Sequence, residues 1–208
     1  LRKHSGNNSI NTDVNFVGNN ASSATGGAIA NLSTSGTFTI EGHAIFSENE
    51  AIHGGAISNS SIFIINDGAT FDNNTTTNGD GGAILNAGLN SDYFIINNGA
   101  TFENNTTTNG SGGAILNDTA DFTINGGATF ENNTATNQDG GAIYNKSGGV
   151  FTINNGATFD SNTADFRGGA IFNTSSGIFT INNGATFENT TTNGSGGAIY
   201  NDNSEFTI

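Results

Sequence analysis

The sequence predicts an all-β fold, a parallel β-helix of about seven turns of about 28 residues, with three strands in each turn. Three observations predict it. Gly-Gly-Ala-Ile followed two residues later by Asn occurs seven times, at 26–31, 54–59, 81–86, 112–117, 140–145, 168–173 and 196–201, with starts 28, 27, 31, 28, 28 and 28 residues apart. Between these blocks stand two further landmarks, Phe-x-Ile, as at 122–124, and Gly-Ala-Thr-Phe, as at 127–130. The step from the Ile of the second landmark to the Phe of the third is always six residues, from Ile10 to Phe16 through Ile181 to Phe187. A unit this small cannot bury its own apolar face and must stack on its neighbours, so residues 1–208 read as one domain.

Each landmark is a short run of β-branched or aromatic residues bounded by Asn and Gly, the local mark of a strand. The unvarying step between the second and third contains Asn-Gly or Asp-Gly, as at Asn98 and Gly99 or Asp67 and Gly68, which tolerates positive φ and makes a tight corner. The other two connections drift in length, which assigns them to surface loops. Asn-Gly is also a hairpin signal, so an antiparallel meander is the rival. Against it, a fixed identity period places like residues over one another only when successive turns are parallel, about 4.8 Å apart.

Alternation assigns the faces. Phe38, Phe63, Phe94, Phe122, Phe151, Phe179 and Phe206 form one inward column; Phe71, Phe102, Phe130, Phe159 and Phe187 form another. In the first strand Ile and Asn face in, the variable residue between them faces out, and the Ala before Ile is expected outside. Asn31, Asn59, Asn86, Asn117, Asn145, Asn173 and Asn201 predict one buried amide ladder, and Asn19, Asn49, Asn74, Asn105, Asn133 and Asn162 a second. A buried amide is costly unless bonded, and stacked Asn side chains can bond from turn to turn.

Composition narrows function. Charged residues make up 11% of the chain, yet 18 acidic against 4 basic residues give a formal charge of −14. That excludes a nucleic-acid or anionic-membrane surface, which needs clustered Lys and Arg. There is no Cys, Met, Trp or Pro. The internal cations are Lys146 and Arg167, and no catalytic triad, Cys-His pair or zinc-spaced cluster is present, so the reading is not an enzyme.

Three features are weighed as sites. Glu41, His43, Glu48, Glu50 and His53 replace the usual Asn, Thr and Gly of the second turn, and imidazole with carboxylate suits a transition ion. A degenerate terminal repeat with a solvated polar face is the preferred reading. Asp72, Glu103, Glu131, Asp160 and Glu188 place a carboxylate outward on successive turns, a column expected to associate weakly with Ca²⁺. The neighbouring Thr70, Thr101, Thr129, Thr158 and Thr186, and the Thr-x-Thr pairs that begin at Thr75, Thr106, Thr134 and Thr190, raise ice binding as the alternative function.

Gly-Gly-Ala-Ile paired with Phe-x-x-Asn, the latter at 16–19, 46–49, 71–74, 102–105, 130–133 and 159–162, resembles the repeat of the chlamydial polymorphic outer-membrane proteins and related adhesin-like repeats. The seventh copy departs, with Glu188-Asn189-Thr190 after Phe187, one residue short of its neighbours. The resemblance implies a right-handed helix, display at the cell surface through an autotransporter-like route, and adhesion to a host, cell-surface or matrix receptor or glycan. The chlamydial relatives carry Cys and this chain has none. The sequence ends on Phe206-Thr207-Ile208, and Ile10 to Phe16 matches the segment that would follow, so the expectation is either a fragment of a longer array that continues in both directions or a subunit whose copies stack head to tail into filaments. The function expected from sequence is therefore an extracellular structural or adhesin repeat that presents a binding surface.

Overall fold

The computed structural model describes residues 2, 3, 6–32, 36–89 and 92–208, with the side chains of residues 2 and 3 left aside. The chain is a parallel β-solenoid of about seven turns, and every strand pairing among the described residues is parallel. One turn shows the plan. Ala128–Glu131 lies in the third sheet, Thr134–Ala135 in the fourth, Ile143–Lys146 in the first and Val150–Ile153 in the second. The next turn then begins with Ala157–Asp160, stacked in register on Ala128–Glu131. The described strands number eight in each of the first two sheets and seven in each of the last two.

The fourth sheet corrects the three-strand reading. Its strands are only two residues long in most turns, such as Thr75–Thr76 and Thr106–Thr107, too short to show alternation in the sequence. They lie inside the connection read as a surface loop. Each follows a residue with left-handed φ, Asn73 at 54°, Asn104 at 56°, Asn132 at 55° and Ser161 at 55°, which bends the chain sharply out of the third sheet. The inward residue of the short strand in turns three to six, Thr76, Thr107, Ala135 or Ala164, is fully buried, and Thr192 in the seventh is half-buried.

Inside, like stacks on like. Phe71, Phe102, Phe130 and Phe159 have ring centroids 4.7 to 4.9 Å apart and planes within 4° of parallel. Phe94, Phe122, Phe151 and Phe179 do the same at 4.8 to 4.9 Å. Free aromatic pairs favour tilted or offset contacts, so this near-parallel arrangement is set by the spacing of the backbones that carry the rings. Both predicted Asn ladders form. In the first, Asn31, Asn59, Asn86, Asn117, Asn145 and Asn173 each donate Nδ2 to Oδ1 of the Asn in the next turn at 2.7 to 2.8 Å. Asn31 Oδ1 is buried without a partner; the residue in register before it is Lys3, so no amide continues the ladder.

The second ladder is more heavily bonded. Asn105, for example, donates Nδ2 to Asn133 Oδ1 at 3.0 Å and to the Phe71 carbonyl at 2.9 Å. Its own Oδ1 accepts both the backbone N–H and Nδ2 of Asn74. The ladder has no Asn in the seventh turn because Thr190 stands in register after Asn162. The pairing of Thr163 with Thr191 shows a substitution there rather than the missing residue inferred from sequence.

The Ala before each Ile is also corrected: it is buried, at 0 to 2% exposure for Ala28, Ala56, Ala83, Ala114, Ala142 and Ala170. The N–H groups of Ala83 and Ile84 both donate to the Ala114 carbonyl at 2.9 Å, and the pattern repeats up the stack. Alternation therefore starts only at Ile, and the Ala methyl turns into the core. The two glycines before it are required by the same close stacking. Gly81 has φ 67°, and a Cβ on Gly82 would collide with the Gly113 carbonyl of the next turn.

Candidate functional site

The interior of this solenoid is uniform, so departures from the repeat stand out on its surface. The largest lies on the outer side of the first sheet in its last turns. The variable residue after Ile is Ala30, Ser58 and Leu85 early in the chain, then Leu116, Tyr144, Phe172 and Tyr200. Tyr144 and Phe172 stack at 5.0 Å and 1°, while Tyr200 tilts by 48° at 5.4 Å. This is the single outward aromatic ladder among the described residues.

Both internal cations sit against it. The Lys146 ammonium lies 5.7 Å from the Tyr144 ring centroid and 3.3 Å from Asp118, its in-register neighbour. The Arg167 guanidinium lies 4.5 Å from the Phe172 ring centroid and 5.8 Å from that of Tyr200. It donates from Nε and Nη2 to the two carboxylate oxygens of Asp139 at 2.9 and 2.8 Å, a bidentate pair. The pair explains why Asp139 can be 95% buried in this place and why Phe172, on an outer face, is only 2% exposed. Hydrogen bonding to Asp139 holds the Arg167 guanidinium above its ordinary pKa. Burial, followed by the Asp139 charge, raises the Tyr144 phenol above its ordinary value of 10.0.

The sequence reading noted Lys146 and Arg167 as the internal cations but did not join them to the aromatic residues. The usable signal was there: aromatic residues occupy the variable position in the last three repeats, the stretch where the cations occur.

The predicted site residues are distributed differently. Asp72, Glu103, Glu131, Asp160 and Glu188 are in register along the third sheet, next to the Thr70, Thr101, Thr129, Thr158 and Thr186 column. Three of the carboxylates are engaged by side chains at the corner, Glu131 by Asn132 at 3.4 Å. Asp72 Oδ1 accepts from Asn73 at 2.8 Å and Asn104 at 3.3 Å, and Asp160 Oδ1 accepts from Ser161 and Asn189 at 3.0 Å each. The second-turn patch is spread over several elements. Glu41 accepts from Asn66, Glu50 from Asn20, and His53 Nδ1 from the Asp80 N–H, while Glu48 occupies a left-handed corner position and His43 lines a groove beside Asp67 and Gly68. Among the described residues no three His, Cys, Asp or Glu side chains gather as a metal-holding group. Thr75, Thr106, Thr134, Thr163 and Thr191 form an in-register column on the fourth sheet, not a set of loop positions.

An exposed ladder was not anticipated. At the corner between the second and third sheets, Asn97, Asn125, Asn154 and Asn182 each donate Nδ2 back to the Asn of the preceding turn at 2.7 to 3.0 Å, and Asn66 donates to Glu41 at 2.7 Å. Its direction is opposite to that of the buried amide ladders, which donate forward.

No curated protein and no solved structure matches the chain. A family model does, and each match runs from the start of a third-sheet strand, through the fourth sheet, to the end of the following first-sheet strand. Those matched stretches, residues 68–87, 127–146 and 156–174, are similar to the Chlamydia polymorphic membrane protein repeat.

Proposed function

We propose that this chain is a non-enzymatic, surface-exposed structural repeat of an adhesin type, whose outer face meets a receptor or glycan on a host cell or matrix. The observation that carries the reading is the division of labour in the fold. Interior positions are spent on identical ladders, while the outer side of the first sheet gathers the aromatic residues and both internal cations in turns five to seven. Solenoid stacking turns such variation into an extended binding surface. The repeat match supports a cell-surface setting. Fluorescently labelled protein should bind epithelial cells saturably, with an excess of unlabelled protein competing. Non-saturable or undetectable binding would count against adhesion.

Ice binding is the second reading. The in-register Thr columns of the third and fourth sheets favour it, since Thr163 and Thr191 hydroxyls approach to 3.1 Å in an ordered row. A thermal-hysteresis measurement separates the two. For the carboxylate column we propose loose association with Ca²⁺; the melting temperature should then rise more with calcium than with sodium at equal ionic strength, and equal responses would mean screening alone.

A further inference from the structure

We propose that the cavity of about 670 Å³ between the sixth and seventh turns, lined by Asp165, Phe166, Arg167, Asn193, Gly194 and Ser195, binds a neutral pyranose sugar stacked on the Phe166 ring. The proposal rests on the surface-binding reading above and gives that surface a ligand class. Its volume falls within the range of small-ligand sites.

The connection from the fourth to the first sheet is one residue shorter in these two turns than in the three before them. Gly168 follows Asn162 by six positions, whereas Gly140 follows Asn133 by seven. Arg167 and Ser195 form a parallel bridge, and Phe166 stands at the rim, where it is 51% exposed. That exposure is not an end effect. The Phe166 N–H donates to Gln138 of the turn before, and its carbonyl accepts the Ser195 N–H of the turn after, both at 3.1 Å. Gly194 cannot carry a side chain, because a Cβ there would collide with the Phe166 carbonyl.

The polar groups around the ring suit sugar hydroxyls. Arg167 is fixed by its two bonds to Asp139 and by the Phe172 ring beneath it, and its Nη1 hydrogens remain for a ligand. Asp165 accepts the Asn137 N–H at 2.6 Å and Asn193 Nδ2 at 3.5 Å, with lone pairs left on its oxygens for a ligand, and the Asn193 side-chain carbonyl adds an acceptor. Planar, preorganised donors and acceptors beside an exposed aromatic face match a pyranose, which presents hydroxyls at its edge and C–H groups on its face. Charge decides between neutral and acidic sugars. The Arg167 charge is matched by Asp139, and Asp165 adds another carboxylate, so the cavity has no spare positive charge for an anion, in a chain of formal charge −14.

The test is titration of the purified chain with methyl glucoside, methyl galactoside, methyl mannoside and methyl glucuronide, followed by saturation-transfer NMR and calorimetry. At least one neutral glycoside should bind, with the strongest saturation on its C–H face. Phe166→Ala should weaken binding about tenfold while leaving the melting temperature unchanged, and Phe166→Tyr should retain it. The proposal is overturned if no neutral glycoside binds, if Phe166→Ala binds equally well, or if the glucuronide binds more tightly than the glucoside. Cell binding is read separately: labelled Phe166→Ala protein that binds cells as well as the parent chain would sink the sugar site and leave the surface reading standing.

Discussion

Two connections within each repeat are made from the same small polar residues, yet one never changes length and the other carries the molecule's individuality. The corner from the second to the third sheet is always six residues from Ile to Phe. Its residues are tied to the turns above and below: Asn97 to Asn66, Asn125 to Asn97, and the Ala100 N–H to the Gly127 carbonyl. An added residue would shift these groups out of register with both neighbours. The connection from the fourth to the first sheet is bonded less tightly: Thr76 Oγ1 donates to the Gly79 carbonyl three residues on, and its turn-to-turn amide contacts, Asn109 to Asn78 and Asn137 to Asn109, are longer at 3.3 and 3.4 Å. It gains or loses a residue from one turn to another. The difference teaches that turn-to-turn bonding, not residue type, fixes loop length here, and that binding chemistry collects where that bonding is relaxed.

The contrast between tied interior and relaxed exterior orders the expected effects of mutation. Phe122→Ala removes a ring stacked on both sides at 4.8 Å and should cost about 3–5 kcal/mol in urea denaturation, whereas Phe206→Ala, stacked on one side at 5.2 Å and only partly buried, should cost less. If both cost the same, stacking continuity is not what stabilises the column. Asn105→Ala leaves the Asn74 N–H groups and the Phe71 carbonyl unpaired inside the core, at about 1–3 kcal/mol for each group left without a partner. Asn125→Ala breaks an equally regular but exposed ladder, where water replaces the lost bonds, and should stay within about 0.5 kcal/mol.

Smaller effects sharpen the comparison on the outer face. Arg167→Ala strands the buried Asp139 carboxylate and should cost about 1–3 kcal/mol, partly relieved by solvent because the arginine itself is 43% exposed. Lys146→Ala removes a pair in which both partners are about one-third exposed, and should cost about 0–1 kcal/mol. The smallest effect is one of pH. Because burial raises the Tyr144 phenol in the folded state, its contribution to stability is complete below pH 10 and is lost as pH rises through the higher folded value. Tyr144→Phe should flatten that part of an alkaline stability profile, and an unchanged slope would assign the loss to other groups.

The repeat period, the inward Phe and Ile columns and both buried Asn ladders were legible because each is written seven or nearly seven times in the same place. Three things were not. Strands of two residues, as at Thr106–Thr107, carry no alternation, and the bend before them depends on the left-handed Asn104. The inward turn of Ala114 breaks the alternation rule through a carbonyl shared by two N–H groups, which residue identity does not display. The outer cluster depends on Asp139 and Arg167, 28 residues apart, and on an aromatic residue at a position whose variability made it look unimportant. Repetition exposes what every turn shares and conceals what a single turn does.

In-register parallel stacking underlies all of these arguments, and disulfide trapping tests it most directly because the chain has no cysteine of its own. Thr129 and Thr158 are outward register partners in adjacent strands, with Cα atoms about 4.8 Å apart by β geometry, inside the range a disulfide spans. Thr101 and Thr158 lie two turns apart and outside it. The account predicts that mild oxidation closes Thr129→Cys with Thr158→Cys nearly completely while the monomeric Thr101→Cys with Thr158→Cys protein stays reduced. Crosslinking of the second pair, or failure of the first in a folded protein, would contradict it.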